Sequence, residues 1–257
     1  MDLGLKDKTA LVTGGSRGIG RAIALALAAE GCRIGICARG REQLDGTLKE
    51  ISAQGVQAFG CTADVTVADE VEGFIRQSAE NLGGVDILVN NVGGSSGGML
   101  HESTDQDWVQ TFELNLFHAV RATRAALPYM RERGKGSVVI ISSISGWKPA
   151  PAAQYGCAKA AEILLAGGLA LELSHASIRV NTVCPGSILF PGGGWERFRA
   201  GQPEQFDEFE QREFPAKRLG APEEVAAAVA FLVSERASWI NGATIPVDGA
   251  QGRPSAF

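Results

Sequence analysis

The stretch that decides the fold lies at residues 9–20 and reads TALVTGGSRGIG. Its first half is a short apolar run typical of a buried strand, and a helical pattern begins directly after it. Gly14, Gly18 and Gly20 are spaced GxxxGxG, which lets the chain turn tightly and seats a helix close to the sheet. The free N–H groups at the start of that helix suit a phosphate group. We therefore predict a strand–turn–helix unit that binds the pyrophosphate of a dinucleotide.

The alternation of strand and helix continues along the chain. Apolar runs of strand length follow at residues 33–38, 56–61, 85–90, 136–142, 178–184 and 243–247, and helical patterns lie at 21–31, 41–55, 68–84, 105–132, 153–173 and 222–235. Strand followed by helix, repeated, predicts a parallel sheet with helices on both faces. No linker or internal repeat divides the chain. We predict one α/β domain over 1–257, a doubly wound Rossmann-type fold with a seven-stranded parallel sheet.

Composition excludes several classes of function. The net charge of -5 provides no basic surface for nucleic acid, and no apolar run is long enough to span a membrane. The chain enters strand-like sequence without the apolar segment of a signal peptide. Its five cysteines are scattered without a CxxC pair, which predicts reduced thiols and a cytoplasmic protein. Cys157 is expected to pack as a small apolar residue, and the three separated histidines predict no metal site.

The second strand indicates which dinucleotide binds. It ends without the acidic residue that bonds the ribose hydroxyl of NAD. Arg17 in the glycine turn and Arg39 beyond the strand present guanidinium groups suited to a 2′-phosphate, or else are ordinary surface charges. Glu42 is the nearest acid and is expected to begin the next helix. The sequence favours NADP(H) over NAD(H).

Polar residues follow the next two strands. Asp64 and Val65 come after the third strand, where Asp64 either accepts a hydrogen bond from adenine or caps the following helix. Asn91 and Gly93 come after the fourth strand and either support the adenosine half of the cofactor or form a turn. Ligands bind at the carboxyl ends of parallel strands, so this position favours the binding role.

Tyr155 and Lys159 lie four residues apart in the helical pattern AQYGCAKAAEILLAGGLALEL. This spacing places both side chains on one helical face. A cation held beside a phenol stabilises the phenolate, which makes the phenol a candidate proton donor. The pair alone is also compatible with an ordinary solvated face, so its meaning depends on the rest of the chain.

Together these motifs resemble the short-chain dehydrogenase/reductase family, and within it the 3-oxoacyl-(acyl-carrier-protein) reductases. The resemblance runs from about Lys8 to Gly249. It rests on seven motifs in order: TGGSRGIG, NNVG, the helix of Asn115, SSISG, YGCAK, VCPGSI and PVDGAQG.

The resemblance implies a catalytic tetrad of Asn115, Ser143, Tyr155 and Lys159, with Ser142 as the rival for the serine. Ser143 and Tyr155 would bond a carbonyl oxygen, and Tyr155 would transfer the proton. Asn115, at a bend of its helix, would link Lys159 to water. It implies a cofactor site whose members are Gly14, Ser16, Arg17, Gly18, Ile19, Gly20, Arg39, Asp64, Val65, Asn91, Gly93, Tyr155, Lys159, Pro185, Gly186 and Ile188. A threonine common after the PG pair in this family is replaced by Leu189-Phe190-Pro191, which puts a hydroxyl contact to the cofactor in doubt.

Residues 187–217 are expected to form one or two short helices that act as a substrate-binding lid. The segment is rich in aromatic residues, which either line an apolar site or pack a small core of the lid itself. Trp147, Phe190 and Trp195 are the candidates for the site. We predict reduction of a hydrophobic ketone or 3-oxoacyl substrate, with a homotetramer implied by the resemblance. The alternatives are an NAD-dependent alcohol or polyol dehydrogenase and a dinucleotide-binding regulator without turnover.

Overall fold

Seven parallel strands form one sheet in the computed structural model, which describes residues 1–252. The strands are β1 (Thr9–Thr13), β2 (Arg33–Ala38), β3 (Ala58–Thr62), β4 (Ile87–Asn90), β5 (Gly136–Ile141), β6 (Ile178–Pro185) and β7 (Thr244–Val247). Their order in the sheet is 3-2-1-4-5-6-7. This confirms the predicted doubly wound parallel sheet. The end of the predicted domain, residues 253–257, lies outside the described part of the chain.

Helices cover both faces of this sheet. They are α1 (Gly18–Ala29), α2 (Arg41–Ser52), α3 (Ala68–Leu82), α4 (Asp105–Phe112), α5 (His118–Glu132), α6 (Ala153–Leu173), α7 (Gly194–Gly201), α8 (Pro203–Glu213) and α9 (Pro222–Val233). One apolar core joins the sheet to α1, α2 and α9. A second core joins it to α3, α5 and α6. Because both faces are covered, central strands such as β1 and β4 are buried along their whole length.

The boundaries of β2 and α6 coincide with the predicted ranges, and the other strands differ by one or two residues. The helical pattern expected over 105–132 is interrupted once, at Asn115, where the resemblance implied a bend. A π-helical segment at Glu113–Phe117 separates α4 from α5. Within it the Asn115 amide donates to the carbonyl oxygens of Thr111 (2.6 Å) and Gly94 (2.7 Å). The bulge therefore forms around a side chain that is bonded to the loop after β4.

Residues 187–217, the predicted lid, contain the two helices α7 and α8. Five of its aromatic rings pack against one another with centroid distances from 5.2 to 6.5 Å. These rings belong to Trp195, Phe198, Phe206, Phe209 and Phe214. The aromatic residues of the lid thus form mainly a small core of its own, which was one of the two expectations.

Cys157 is exposed, because its position on α6 points away from both apolar cores, so the expected packing in a buried helix is wrong. Within residues 1–252, no helix has the length and apolar character needed to cross a membrane.

The sheet reverses its direction of growth between β1 and β4. The chain runs outward from β1 to β2 and β3, then returns to β4 on the other side of β1. The loops at the carboxyl ends of these two strands diverge and leave a crevice, which is where doubly wound folds bind ligands.

Candidate active site

The turn after β1 has the backbone that its glycines predict. Gly14 and Gly18 have positive φ angles of 67° and 52°, which side chains adopt only with strain. A Cβ at Gly20 would overlap the carbonyl oxygen of Gly14, so only glycine lets α1 begin so close to the turn. No acidic residue lies in the first turn of α1. The start of α1 is therefore open and favourable for an anion.

Asn91 holds this turn in place from the neighbouring strand. Its side-chain amide donates to the carbonyl oxygens of Thr13 (2.9 Å) and Gly14 (3.3 Å), and its backbone N–H donates to the Thr13 hydroxyl (2.9 Å). Asn91 also lines the crevice, so the same side chain supports the glycine turn and forms part of the cavity wall.

The crevice is a cavity of about 620 Å³ that runs from the end of β2 to the end of β6. This volume lies within the usual range for small-molecule and cofactor sites. Most of the residues predicted from the sequence line it: Gly14, Ser16, Arg17, Ile19, Gly20, Arg39, Asp64, Val65, Asn91, Gly93, Ser143, Tyr155, Lys159, Pro185, Gly186 and Ile188. Gly18 lies beneath the Phe190 ring, and Asn115 is buried behind Gly93. Gln43 on α2 also lines the cavity and was missed by the sequence analysis.

Two arginines lie at the β2 end of the cavity. Arg17 and Arg39 both line it, and Arg17 also donates to the carbonyl oxygen of Gly192 in the lid (3.2 Å). Asp64 lies beside them but does not cap α3; it accepts hydrogen bonds from the N–H (2.9 Å) and hydroxyl (2.7 Å) of Thr66. These bonds, with a smaller contribution from Arg39, hold the pKa of Asp64 below its usual value. This end of the cavity therefore combines two cations with one ionised carboxylate.

Tyr155 and Lys159 lie at the other end, on the first turns of α6. The Lys159 ammonium is 5.7 Å from the centroid of the Tyr155 ring. Lys159 is 2% exposed, and its Nζ donates to the Ile141 carbonyl oxygen at the end of β5 (3.0 Å). A Cβ at Gly93 would approach both Lys159 Nζ (2.8 Å) and Asn115 Oδ1 (2.9 Å). Glycine at this position therefore leaves the space between the two side chains open.

The buried partner of Lys159 is Glu162, which the sequence analysis did not select. Its carboxylate oxygens lie 2.9 and 3.1 Å from Lys159 Nζ. Burial lowers the pKa of the Lys159 ammonium, but the charges of Glu162 and Tyr155 outweigh burial and the net pKa is raised. Burial raises the pKa of the Glu162 carboxyl, and Lys159 and Ser142 offset only part of this. The two-point contact supports an ammonium–carboxylate pair.

The two candidate serines differ in orientation. Ser142 is buried, and its hydroxyl donates to the backbone carbonyl oxygen of Lys159 (2.8 Å). Ser143 is only half-buried, and its hydroxyl oxygen accepts from the N–H of Ser145 (3.1 Å). Accepting one N–H leaves the Ser143 hydroxyl proton available to a ligand. The geometry thus favours Ser143 as the group that contacts a ligand, and Ser142 as a support for α6.

The loops beside Tyr155 are also anchored. Gln154 is buried, and its amide donates to the carbonyl oxygens of Ser96 (2.9 Å) and Gly98 (3.1 Å). Of the three aromatic residues proposed for an apolar site, Phe190 and Trp195 line the cavity. Trp147 instead donates its indole N–H to the Gly252 carbonyl oxygen (3.4 Å).

Comparisons with known proteins agree with this architecture. The family model of short chain dehydrogenases matches residues 8–193. The 3-oxoacyl-(acyl-carrier-protein) reductase of Staphylococcus aureus is 36% identical over 244 residues, which cover 94% of this chain and 97% of the relative. L-sorbose reductase from Gluconobacter frateurii, complexed with NADPH and L-sorbose, is similar with a TM-score of 0.91 and 34% identity, over 97% of this chain and 98% of that one. A 7α-hydroxysteroid dehydrogenase complexed with NADH and 7-oxo glycochenodeoxycholic acid has a TM-score of 0.89 and 30% identity, over 96% and 95% of the two chains.

The doubly wound sheet, the glycine turn and the crevice above it define a dinucleotide-dependent enzyme. The chain belongs to the short-chain dehydrogenase/reductase family. It is an oxidoreductase that acts on carbonyl or alcohol groups, as the motifs predict. This sets aside the alternative of a dinucleotide-binding protein without turnover.

Proposed function

We propose that this protein is an NADPH-dependent reductase of a hydrophobic ketone or 3-oxoacyl substrate. The observation that carries the proposal is the layout of one continuous cavity. Arg17 and Arg39 lie at one end, and Ser143, Tyr155 and Lys159 lie at the other. A molecule that extends between the two ends would have a phosphate near the arginines and a reactive group near the phenol.

The residues present fit an NADP(H) cofactor. The glycine turn and the start of α1 would hold the pyrophosphate, since a side chain at Gly20 would close the turn. Asp64 and Val65 would contact the adenine, and Pro185, Gly186 and Ile188 would contact the nicotinamide end. When bound, the cofactor supplies or accepts the hydride.

The preference for NADPH rests on the two arginines. A 2′-phosphate adds charge and acceptor oxygens, and guanidinium groups bind these with two parallel hydrogen bonds. Gln43 lines the same end of the cavity and adds an uncharged donor. The relative complexed with NADPH supports this assignment, whereas the one complexed with NADH shows that both cofactors occur in this fold.

The catalytic end supports a simple proton transfer. The Ser143 and Tyr155 hydroxyls would donate to the substrate carbonyl oxygen and stabilise the negative charge that develops there. Tyr155 would then give its proton as a general acid, and in the reverse direction it would accept one. Lys159 would stabilise the resulting phenolate. Asn115, at the π-helical segment, borders the open space beside Lys159 through which a proton could be replaced.

The lid suggests an apolar substrate. Phe190 and Trp195 line the cavity; Phe190 lies over Gly18, and Trp195 also belongs to the ring cluster of α7 and α8. The lid would both contact the substrate and exclude water from it. The similarity to the 3-oxoacyl reductase of Staphylococcus aureus favours the 3-oxoacyl class of substrate. The similarity to L-sorbose reductase makes a sugar the competing class.

We further propose that the protein assembles as a homotetramer in the cytoplasm. Leu164 and Leu171 on α6 are 80% and 85% exposed, and Val109 on α4 and Phe117 in the π-helical segment are also exposed. Apolar side chains of this size on neighbouring helices favour burial against another copy. The five free thiols suit a reducing compartment.

A substrate and cofactor panel tests the proposed function. The purified protein would be mixed with NADPH or NADH and with acetoacetyl-CoA, ethyl acetoacetate, cyclohexanone or L-sorbose. We expect the highest kcat/KM with NADPH and the 3-oxo compounds. A strong NADH preference would refute the role of the arginines, and turnover of L-sorbose alone would move the substrate to the sugar class.

A further inference from the structure

Glu162 has no part in the mechanism above, yet its carboxylate is buried beside the catalytic lysine. It is 1% exposed and lies three residues after Lys159 on α6. Both of its oxygens are within 3.1 Å of the Lys159 ammonium. Ala158 and Ala166 lie one turn before and one turn after Glu162 on the same face of α6, and both are buried and apolar. An acidic residue here is not required for packing.

Burying this pair does not by itself stabilise a fold. The cost of removing two charges from water usually cancels their attraction, so apolar residues of similar size would serve packing equally well. A buried ion pair at the catalytic lysine is therefore better explained by its effect on the positive charge of that lysine. It sets both the position and the electrostatic effect of the ammonium that faces Tyr155.

We propose that Glu162 is a positioning residue for proton transfer: it holds the Lys159 ammonium against the Ile141 carbonyl and balances its charge, so that Tyr155 retains its proton to higher pH than beside an unpaired lysine. This inference rests on the proposed role of Tyr155 as proton donor. It concerns a residue outside the tetrad of Asn115, Ser143, Tyr155 and Lys159.

The other titratable groups around the pair are neutral. Cys184 on β6 interacts with both members of the pair, and burial raises the pKa of its thiol to about 12. His118 on α5 interacts with Lys159, and burial lowers the pKa of its imidazole to about 3. Neither the Cys184 thiol nor the His118 imidazole carries charge between about pH 3 and about pH 12. Tyr155 is therefore the neighbouring group whose proton the reaction moves.

Charged side chains on the other elements that pack near α6 have partners elsewhere. Asp107 on α4 accepts from the hydroxyls of Ser96 and Thr104. Glu113 in the π-helical segment pairs with Arg121 on α5. The charge balance at Lys159 thus depends mainly on Glu162.

The chain offers a direct test, because it contains only two tyrosines, Tyr129 and Tyr155. In a Tyr129→Phe background, the absorbance of phenolate reports the ionisation of Tyr155 alone, without substrate or cofactor. Glu162→Gln keeps the shape of the side chain and removes its charge. We expect it to lower the midpoint of the phenolate titration by about one pH unit, the scale of leaving one nearby positive charge unbalanced.

Two further variants complete the comparison in the same background. Glu172→Gln removes an exposed carboxylate from α6 and should leave the midpoint unchanged. Glu162→Asp withdraws the carboxylate by one methylene and frees the ammonium in part, so its midpoint should fall by about 0.3 pH unit, a fraction of the effect of full charge removal. If Glu162→Gln does not fold, the aspartate variant decides.

A midpoint that stays constant or rises in folded Glu162→Gln overturns the inference, as does an unchanged midpoint in Glu162→Asp when only that variant folds. The proposed function fails by a different observation, namely turnover that survives Tyr155→Phe. Since the phenolate titration requires no turnover, the two failures can be told apart.

Discussion

The two carboxylate oxygens of Glu162 lie 2.9 and 3.1 Å from the Lys159 ammonium, and both side chains are buried on one face of α6. The family resemblance explains Lys159 but says nothing of Glu162. Because the pair lies between the sheet and the cavity, its charges affect both the stability of the fold and the chemistry at Tyr155.

Removing one member of this pair should cost more than removing both. Lys159→Met leaves a buried carboxylate without its partner and should lower the free energy of unfolding by about 3–5 kcal/mol. Lys159→Met combined with Glu162→Leu leaves no charge and should recover most of that loss. Urea denaturation of the single and double variants measures the difference. Equal losses in both would show that the pair is not coupled.

The arginines at the β2 end should distinguish the two nicotinamide cofactors. Arg17→Ala combined with Arg39→Ala should raise the Kd of NADPH about 10- to 100-fold, the scale of one or two lost charge-assisted hydrogen bonds. The Kd of NADH should change little. Isothermal titration calorimetry measures both, and Arg41→Ala, an exposed arginine paired with Asp45, is the matched control. An equal loss for both cofactors would contradict the assignment.

Acid should weaken the start of α9 in a defined range of pH. The Glu224 carboxylate accepts from Arg218 (2.6 and 2.9 Å) and from the N–H of Ala221 (2.8 Å), which lowers the pKa of Glu224 to about 2. A lowered pKa stabilises the folded state above the unfolded value of about 4.3, and this stabilisation is lost as pH falls toward about 2. Urea midpoints should therefore separate wild type from Glu224→Gln at neutral pH and converge near pH 2.

The neighbouring residue provides the control for this effect. Glu223→Gln removes a carboxylate from the same turn of α9. Within residues 1–252, the Glu223 side chain makes no hydrogen bond like that between Glu224 and Ala221. It should leave the pH dependence of the urea midpoint as in wild type. A constant difference between wild type and Glu224→Gln across the whole acid range would refute the linkage.

Much of the fold follows from local sequence. The run TALVTGGSRGIG predicted the first strand, turn and helix, and the unbroken helical pattern at 153–173 predicted α6 to the residue. The alternation of apolar runs with helical periods predicted the seven parallel strands. Each of these features depends on near neighbours in the chain, which is why sequence patterns reveal them.

The features that sequence reasoning missed depend on distant contacts. The resemblance implied a bend at Asn115, but the helical period at 105–132 shows no interruption. The π-helical form of the bend becomes evident only once Gly94 is seen to accept from Asn115. Glu162 is a similar case. An acid on an apolar helical face is a local signal, but its partner and its burial require the end of β5 and the packing of α6 against the sheet.

The central claim is that Tyr155 donates the proton, and Tyr155→Phe tests it most directly. We expect kcat for the reduction of ethyl acetoacetate by NADPH to fall roughly 100- to 10,000-fold, the range of general acid catalysis. The Kd of NADPH should remain within about threefold of wild type, which corresponds to a change in binding free energy of less than about 1 kcal/mol. Tyr129→Phe, on α5, should retain full turnover. A Tyr155→Phe enzyme that reduces the ketone at the wild-type rate would contradict the account.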